Sequence, residues 1–342
     1  MSPATRIAIN GFGRMGRLAV RALWPRTDLC LVHINELAGG ASQAAHLLQF
    51  DSLQGEWGTP VRSDSNALMI ADAAVSYSQH QAIGDTDWRG MGVDLVIDCT
   101  GAFKTSQALE PYFAAGVKKV IVSAPIPTTS PDTDFINIVM GVNDAEYDAS
   151  RHRIITAASC TTNCIAPIID VMHACFGIRH GAITTLHAVT NTQRVLDGFH
   201  KDLRRARSSG SSLIPTSTGS ARAIADIFPD LRGRLNGIAV RVPTANASLA
   251  DCVFELQEET TTQAVNDALR TAAAGRLRGI LGVEDRPLVS TDYCGDERSA
   301  IVDTLSTQVI DGSQVKVLAW YDNEVGYVQR MIELTQKVAA SA

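Results

Sequence analysis

Short apolar runs alternate with stretches of helical spacing through the first half of the chain. Residues 6–10 and 29–35 predict strands, 14–23 a helix, and a more polar, strand-rich stretch covers 58–77. Residues 94–99, 117–123 and 136–142 continue as strands, with a helix over 105–115 between the first two. Strand, helix, strand in repetition predicts a parallel sheet with crossover helices. The strands are continuous Val/Ile runs, which suits a sheet buried on both faces.

A strand over 153–157 runs into a helix beginning near Cys160, and there the pattern changes. Strands are predicted at 182–187, 238–241, 249–256 and 315–321, with a long polar loop over 188–212. Residues 323–339 carry helical spacing at Val325, Val328, Met331, Ile332 and Leu334. The second half therefore predicts a mixed or antiparallel sheet. At 342 residues the chain exceeds what one core usually fills, about 250–300 residues. The expected division is 1–158 and 159–322, with the helix over 323–342 packing back on the first domain.

Composition narrows the class. The chain is 45% hydrophobic and 19% charged, which argues for a folded globular protein. A net charge of −6 does not suit nucleic-acid binding, and the basic run at 201–207 reads as a solvated or subunit-facing loop. No signal peptide is visible, and no apolar run approaches the ~18 residues of a membrane span. Seven cysteines without a paired framework suit a reducing compartment, so a cytoplasmic enzyme is expected.

Gly11, Phe12, Gly13, Arg14, Met15 and Gly16 follow the first strand and open the first helix. In that context a GxGxxG string reads as a dinucleotide fingerprint. Its glycines allow the tight turn, the close approach of the pyrophosphate and the packing of helix on strand. The helix end offers unpaired N–H groups to the phosphates. Glu36 ends the second strand, where it can accept from ribose hydroxyls and would repel a 2′-phosphate, favouring NAD over NADP. The first domain is thus expected to be a Rossmann dinucleotide-binding domain, and the second an α+β catalytic domain.

Cys160 lies at a strand-to-helix junction among Ser159, Thr161, Thr162 and Asn163. A thiol at a helix N-terminus is favoured as thiolate, and a histidine could take its proton. Free cysteines are usually small core residues, but these polar neighbours do not resemble a core. Zinc ligation by Cys160, Cys164, His173 and Cys175 is disfavoured, because they would face different sides of one helix. No metal is expected.

The strings INGFGRMGR (9–17), SCTTNC (159–164), TLHAVTNTQ (185–193), KDLRRAR (201–207), PTSTGSA (215–221), LNGIAVRVPTANAS (235–248) and YDNEVGY (321–327) occur in order. Together they resemble the glyceraldehyde-3-phosphate dehydrogenase family over the whole chain. The resemblance implies Cys160 as the nucleophile and His187 as its base. It implies a pocket for the C3 phosphate of glyceraldehyde 3-phosphate at Thr190, Thr192 and Arg241. Ser159, Thr161, Thr218 and Gly219 are implied for the attacking inorganic phosphate, and Thr100, Gly101, Ser123 and Asn323 join the cofactor set. A homotetramer is implied as well. Hydroxyls and amides suit phosphate, and arginine can bind it bidentately, although single loop threonines more often bond local backbone.

Four positions depart from the commonest family pattern: Glu36 for aspartate, Val325 for tryptophan, Val328 for a small polar residue and Phe199 for proline. Asn35–Ala38 also resembles erythrose-4-phosphate dehydrogenase, which usually lacks the Ser217-Thr218-Gly219 loop kept here. Residues 33–36, 44–52, 82–88, 190–193, 245–255 and 279–282 resemble the branch associated with arsenate resistance. There arsenate replaces phosphate as acyl acceptor and the product goes to a partner exporter. A non-catalytic dinucleotide sensor would predict decay of the nucleophile, base or anion loops, and none is visible. Aspartate-semialdehyde dehydrogenase shares a cysteine mechanism, but its substrate would not need two phosphate loops.

Overall fold

The computed structural model describes residues 4–127 and 134–341. The chain forms two compact units. One comprises residues 1–138, 145–158 and 328–342, and the other 139–144 and 159–327.

The first unit is built on nine strands: β1 (Thr5–Asn10), β2 (Leu29–Asn35), β3 (Val61–Asp64), β4 (Ala67–Ile70), β5 (Ala73–Ser78), β6 (Leu95–Asp98), β7 (Lys119–Val122), β8 (Phe135–Asn137) and β9 (Ile154–Thr156). Their order is β3-β4-β5-β2-β1-β6-β7-β9-β8. The pairs β5/β2, β2/β1, β1/β6, β6/β7, β7/β9 and β9/β8 are parallel, whereas β3, β4 and β5 form an antiparallel edge. Helices α1 (Arg14–Leu23), α2 (Ala41–Gln49) and α3 (Ser106–Ala114) make the connections. Strand order reverses around β1, and an open parallel sheet binds ligands at the carboxyl ends beside such a reversal. Those ends are Asn10, Asn35 and Asp98.

The core of this sheet gathers Ala8, Trp88, Val96, Leu109, Tyr112, Val120 and Ile154, all fully buried. Trp88 donates from Nε1 to the Ile83 carbonyl at 2.8 Å and meets His33 edge-on at 5.7 Å. The residues of α7 (Val325–Ala339) from Val328 onward belong to this unit and bury Val328, Met331, Ile332, Leu334 and Val338. Gln336 donates from its amide to Asp28 at 2.9 Å.

The second unit holds β10 (Ile178–His187), β11 (Ile214–Ser217), β12 (Leu235–Arg241), β13 (Ser248–Leu256), β14 (Leu281–Glu284), β15 (Ala300–Ile310) and β16 (Gln314–Tyr321). The order β11-β12-β10-β13-β16-β15-β14 combines parallel β10/β12 and β14/β15 with antiparallel neighbours. Along β13, Ser248, Ala250, Cys252, Phe254 and Leu256 face inward at every second position, the period a one-sided sheet requires. The long helix α4 (Cys160–Phe176) packs on β13, β15 and β16, with α5 (Ser220–Ile227) and α6 (Thr262–Ala274) beside it.

Two expected boundaries move. The strand predicted over 136–142 stops at Asn137, and residues 139–144 join the second unit. Asn143 Oδ1 accepts from Val139 N at 2.8 Å, which turns the chain there. The last helix starts at Val325 rather than 323, because Asp322 Oδ1 accepts from the amides of Glu324 and Val325 at 2.8 Å each. The helices α2 and α6 and the strand β15 lie outside the predicted elements; α2 buries Ala41, Ala44, Ala45 and Leu48 and α6 Val265, Leu269 and Ala272, a helical spacing carried largely by small residues. In β15, the run of Asp303, Thr304, Ser306 and Thr307 breaks the apolar pattern, and the ladder shifts register there.

Replacing Trp88 with Ala removes an indole with no exposed surface. A loss of about 3–5 kcal/mol is expected from transfer and cavity terms, read by urea denaturation. A loss under ~1 kcal/mol would show that this cluster does not carry the first unit.

Candidate active site

In the first unit, β1 delivers Gly11 at φ +91, a backbone region open to glycine. A Cβ at Gly11 would sit 2.6 Å from the Thr100 amide nitrogen, and one at Gly16 would sit 2.1 Å from the Gly11 carbonyl oxygen. Around Gly13 a Cβ would meet nothing within 4 Å. The loop is therefore closed beneath and open above. Gly13 caps α1 without a side-chain bond, and a helix N-terminus is a setting that favours an anion.

Glu36 reaches across to this loop. Its Oε2 accepts from Phe12 N at 2.5 Å and its Oε1 from Ala38 N at 2.9 Å. The Phe12 amide is thus tied to the carboxylate. Arg14 pairs with Asp51, so its side chain already has an anionic partner. Thr100 and Gly101 follow β6. Thr100 bonds Asp98 Oδ1 through its hydroxyl at 2.7 Å and its amide at 3.0 Å. Asp98 is almost fully buried, and burial raises its carboxyl pKa against the pull of Thr100 and Tyr112. Tyr112 Oη donates to Asp98 Oδ2 at 2.8 Å, and Asn10 bonds Tyr112 in turn. Ser123 lies by Cys99, whose thiol burial pushes up to about 12, which keeps it protonated at neutral pH.

The second unit opens with Ser159, which caps α4 by accepting from Thr162 N at 3.1 Å, so Cys160 is the first helical residue. Ala158 before it has φ +52, an uncommon setting for alanine, and is fully buried. His187 ends β10 and pairs in register with Arg241 at the end of β12. Cys160 Sγ lies 3.5 Å from His187 Nε2.

On its other side, His187 Nδ1 faces two groups: the Ala188 carbonyl at 2.7 Å and Arg241 Nη1 at 2.5 Å. Arg241 Nη1 also donates to that carbonyl at 3.0 Å. Burial, then the Arg241 charge, lowers the imidazole pKa to about 4, opposed by the Ala188 carbonyl. Burial also pushes the Cys160 thiol up, against Arg241 and the amides of Thr161 and Cys160. The helix end alone therefore does not deliver the thiolate expected from sequence, because desolvation outweighs it. The thiol proton needs an acceptor, and Nε2 is in reach.

The hydroxyls form chains. Ser159 Oγ bonds Thr162 Oγ1 at 2.7 Å and Ser220 Oγ at 3.2 Å, and Thr218 Oγ1 donates to Ser220 Oγ at 3.1 Å. Gly219 caps α5 with no side chain of its own. Ser159, Thr218 and Gly219 thus come together, and the Thr161 hydroxyl bonds the Cys160 thiol and the buried Tyr321 Oη, the latter at 3.0 Å. Thr190 and Thr192 lie 3.0 Å apart, joined by Gln193, whose Oε1 accepts from the Thr190 hydroxyl at 2.7 Å. Ser248 donates to Asn323 Oδ1 at 2.8 Å, which leaves the Asn323 amide nitrogen without a partner among the described residues.

Sequence reasoning passed over Ser220, Tyr321 and Gln193. Ser220 follows Thr218-Gly219 directly and is the first residue of α5. Tyr321 also bonds Thr185 Oγ1 at 2.7 Å and meets the His187 ring edge-on at 6.1 Å, so it braces the start of α4 and the end of β10 together. Only its place just before Asp322-Asn323 could have hinted at this.

No helix among the described residues is long and apolar enough to cross a membrane. The family model for the glyceraldehyde 3-phosphate dehydrogenase NAD binding domain matches residues 5–106, and that for its C-terminal domain matches 159–323. The chain is 56% identical to glyceraldehyde-3-phosphate dehydrogenase 3 of Nostoc sp., over 98% of each chain. It is 46% identical to glyceraldehyde-3-phosphate dehydrogenase of Geobacillus stearothermophilus, over 98% of this chain and 99% of that one. The match to glyceraldehyde-3-phosphate dehydrogenase 1 of Bacillus subtilis is also 46%, over 98% of each. An uncapped glycine loop at the sheet reversal, a helix-end thiol beside a histidine and these matches agree: the chain belongs to the glyceraldehyde-3-phosphate dehydrogenase family and is an NAD-dependent dehydrogenase of it.

Proposed function

We propose that this enzyme oxidises glyceraldehyde 3-phosphate through a thioester on Cys160, with inorganic phosphate or arsenate as acyl acceptor. The observation that carries the reading is the 3.5 Å approach of Cys160 Sγ to His187 Nε2 at the first turn of α4. His187 takes the thiol proton, and the sulfur adds to the aldehyde carbon to give a hemithioacetal. The same proton passes to the new alkoxide and returns to Nε2 as that carbon is oxidised to the thioester. First-turn amides of α4 stabilise the oxyanion. NAD, when bound, supplies the hydride acceptor. The uncapped end of α1, Glu36, Thr100, Gly101, Ser123 and Asn323 are the residues that would hold it.

Arg241, Thr190 and Thr192 bind the C3 phosphate in this reading. The attacking anion is held by the hydroxyls of Ser159, Thr218 and Ser220 with the amides around Gly219 and Thr161. Its oxygen adds to the thioester carbonyl, and the Cys160 thiolate leaves. Arsenate matches phosphate in shape and charge, so the same hydroxyls serve both. The resemblance to the arsenate-resistance branch supports arsenate as the working acceptor, its product passing to an exporter. We further propose a cytoplasmic homotetramer. All seven cysteines are free thiols. Val195, Leu196, Phe199 and Leu203 expose over three quarters of their surface on one loop, an apolar display that suits a subunit contact.

Replacing His187 with Asn should lower turnover by about 10²–10⁴-fold, the range for general acid–base help. The imidazolium that would stabilise the thiolate is gone while burial still pushes the thiol up. The midpoint of Cys160 alkylation by iodoacetamide should therefore move to higher pH. An unmoved midpoint and unchanged turnover would make His187 structural.

NADH should form with either anion, and arsenate should give the higher final yield, because an acyl arsenate hydrolyses and cannot reverse the reaction. The Thr218→Val variant should lose both activities together. Loss of one anion alone would break the shared pocket, and a kcat/KM favouring phosphate by orders of magnitude would exclude the arsenate role.

A further inference from the structure

Asn323 stands just past β16, and its neighbours fix which of its two amide atoms faces outward. An amide side chain turned over keeps its shape but exchanges a carbonyl acceptor for an N–H donor. Ser248, the first residue of β13 and the ladder partner of Tyr321, decides between the two. Ser248 is 1% exposed, and its Oγ meets Ala188 N at 3.0 Å and Asn323 Oδ1 at 2.8 Å. The Ala188 N–H can only donate, so the hydroxyl accepts there and gives its single hydrogen to Asn323. Turning the amide over would aim two donors at the hydroxyl oxygen. The buried hydroxyl hydrogen would then have no acceptor among the described residues, which is costly. Oδ1 therefore faces Ser248, and Nδ2 faces away from it.

The backbone around this pair is held as well. Asp322 is 1% exposed, and its Oδ2 accepts from Asn246 Nδ2 at 2.8 Å and Gly295 N at 2.7 Å. Its Oδ1 accepts from the amides of Glu324 and Val325 at 2.8 Å each. Residues 246 and 248 thus hold 322 and 323 through two side-chain pairs, with Ala247 between them at φ +61. On the other side of the hydroxyl stands Ala188, whose carbonyl lies 2.7 Å from His187 Nδ1. One hydroxyl joins the backbone beside the proposed base to the amide proposed for the cofactor.

We propose that Ser248 is a positioning residue for the cofactor. Its hydroxyl holds the Asn323 amide with Nδ2 outward, so the site recognises the carbonyl oxygen of a nicotinamide carboxamide rather than its NH2 group. The inference rests on the reading of Asn323 as a cofactor ligand. Ser248 is itself buried and acts through Asn323.

The test is calorimetric titration of full-length enzyme with NAD, thio-NAD and ADP-ribose. Thio-NAD carries sulfur, a weak acceptor, in place of the carboxamide oxygen, and ADP-ribose lacks the nicotinamide altogether. Wild type should bind thio-NAD several-fold more weakly than NAD. Equal affinity would overturn the proposal, and this comparison needs no variant. The Ser248→Ala variant should bind NAD about three- to tenfold more weakly, the size of one hydrogen bond, and hold NAD and thio-NAD within about twofold of each other. Its affinity for ADP-ribose should not change. Equal losses for NAD and ADP-ribose would make Ser248 merely structural and overturn the proposal. Unchanged NAD affinity in Ser248→Ala, with Asn323→Ala still weakened, would overturn the Ser248 role and leave Asn323 as the ligand. Unchanged NAD affinity in Asn323→Ala would sink the ligand reading itself, and the proposal with it.

Discussion

The proposed chemistry of the second unit depends on one contact, Cys160 Sγ to His187 Nε2 at 3.5 Å. Burial makes either charge costly alone: it raises the thiol and lowers the imidazole to about 4. Moving the proton between them makes two charges that attract one another, which offsets part of the desolvation cost each would bear in full alone. That requirement fixes the architecture. The sulfur must stand at a helix start, where Ser159 caps α4, and the ring must stand at a strand end within reach. Tyr321 bonds both Thr161 on α4 and Thr185 on β10, which holds the helix and the strand at that spacing.

The sheet supplies the rest through register. The parallel pairing of β10 with β12 sets His187 beside Arg241, so the proposed base and the cation proposed for the substrate's phosphate are neighbours by register. On the Rossmann sheet the same economy applies to the fingerprint. Strand order reverses at β1, the Gly11 turn lies against Thr100, and Asp98 under the loop is held by Thr100 and Tyr112. A buried carboxylate is worth its desolvation only when fully bonded, and here its bonds fix the backbone that borders the cofactor loop.

Much of this was legible in the sequence, for physical reasons that differ by element. The parallel strands stood out because both faces are buried, and α1 because its fingerprint precedes a clear helical period. Residues brought together by sheet register were reached only through family resemblance: nothing in local spacing sets Arg241 beside His187. The strand β15 escaped because its polar run crosses a register shift. The helix α6 escaped because its buried face is only Val265, Asn266, Leu269 and Ala272. The bond from the Thr161 hydroxyl to Tyr321 was not legible, because the two stand more than a hundred positions apart in sequence. The thiol's shift was misjudged because a helix end is visible in sequence and desolvation is not.

The most direct measurement of the account is single-turnover mixing of enzyme and NAD with glyceraldehyde 3-phosphate, with no phosphate or arsenate, followed by acid quench and mass spectrometry. A burst of about one NADH per active site, with a phosphoglyceryl group recovered on Cys160 and discharged by added phosphate, is the result predicted. NADH formation with Cys160 unmodified, or the acyl group on another residue, would contradict it.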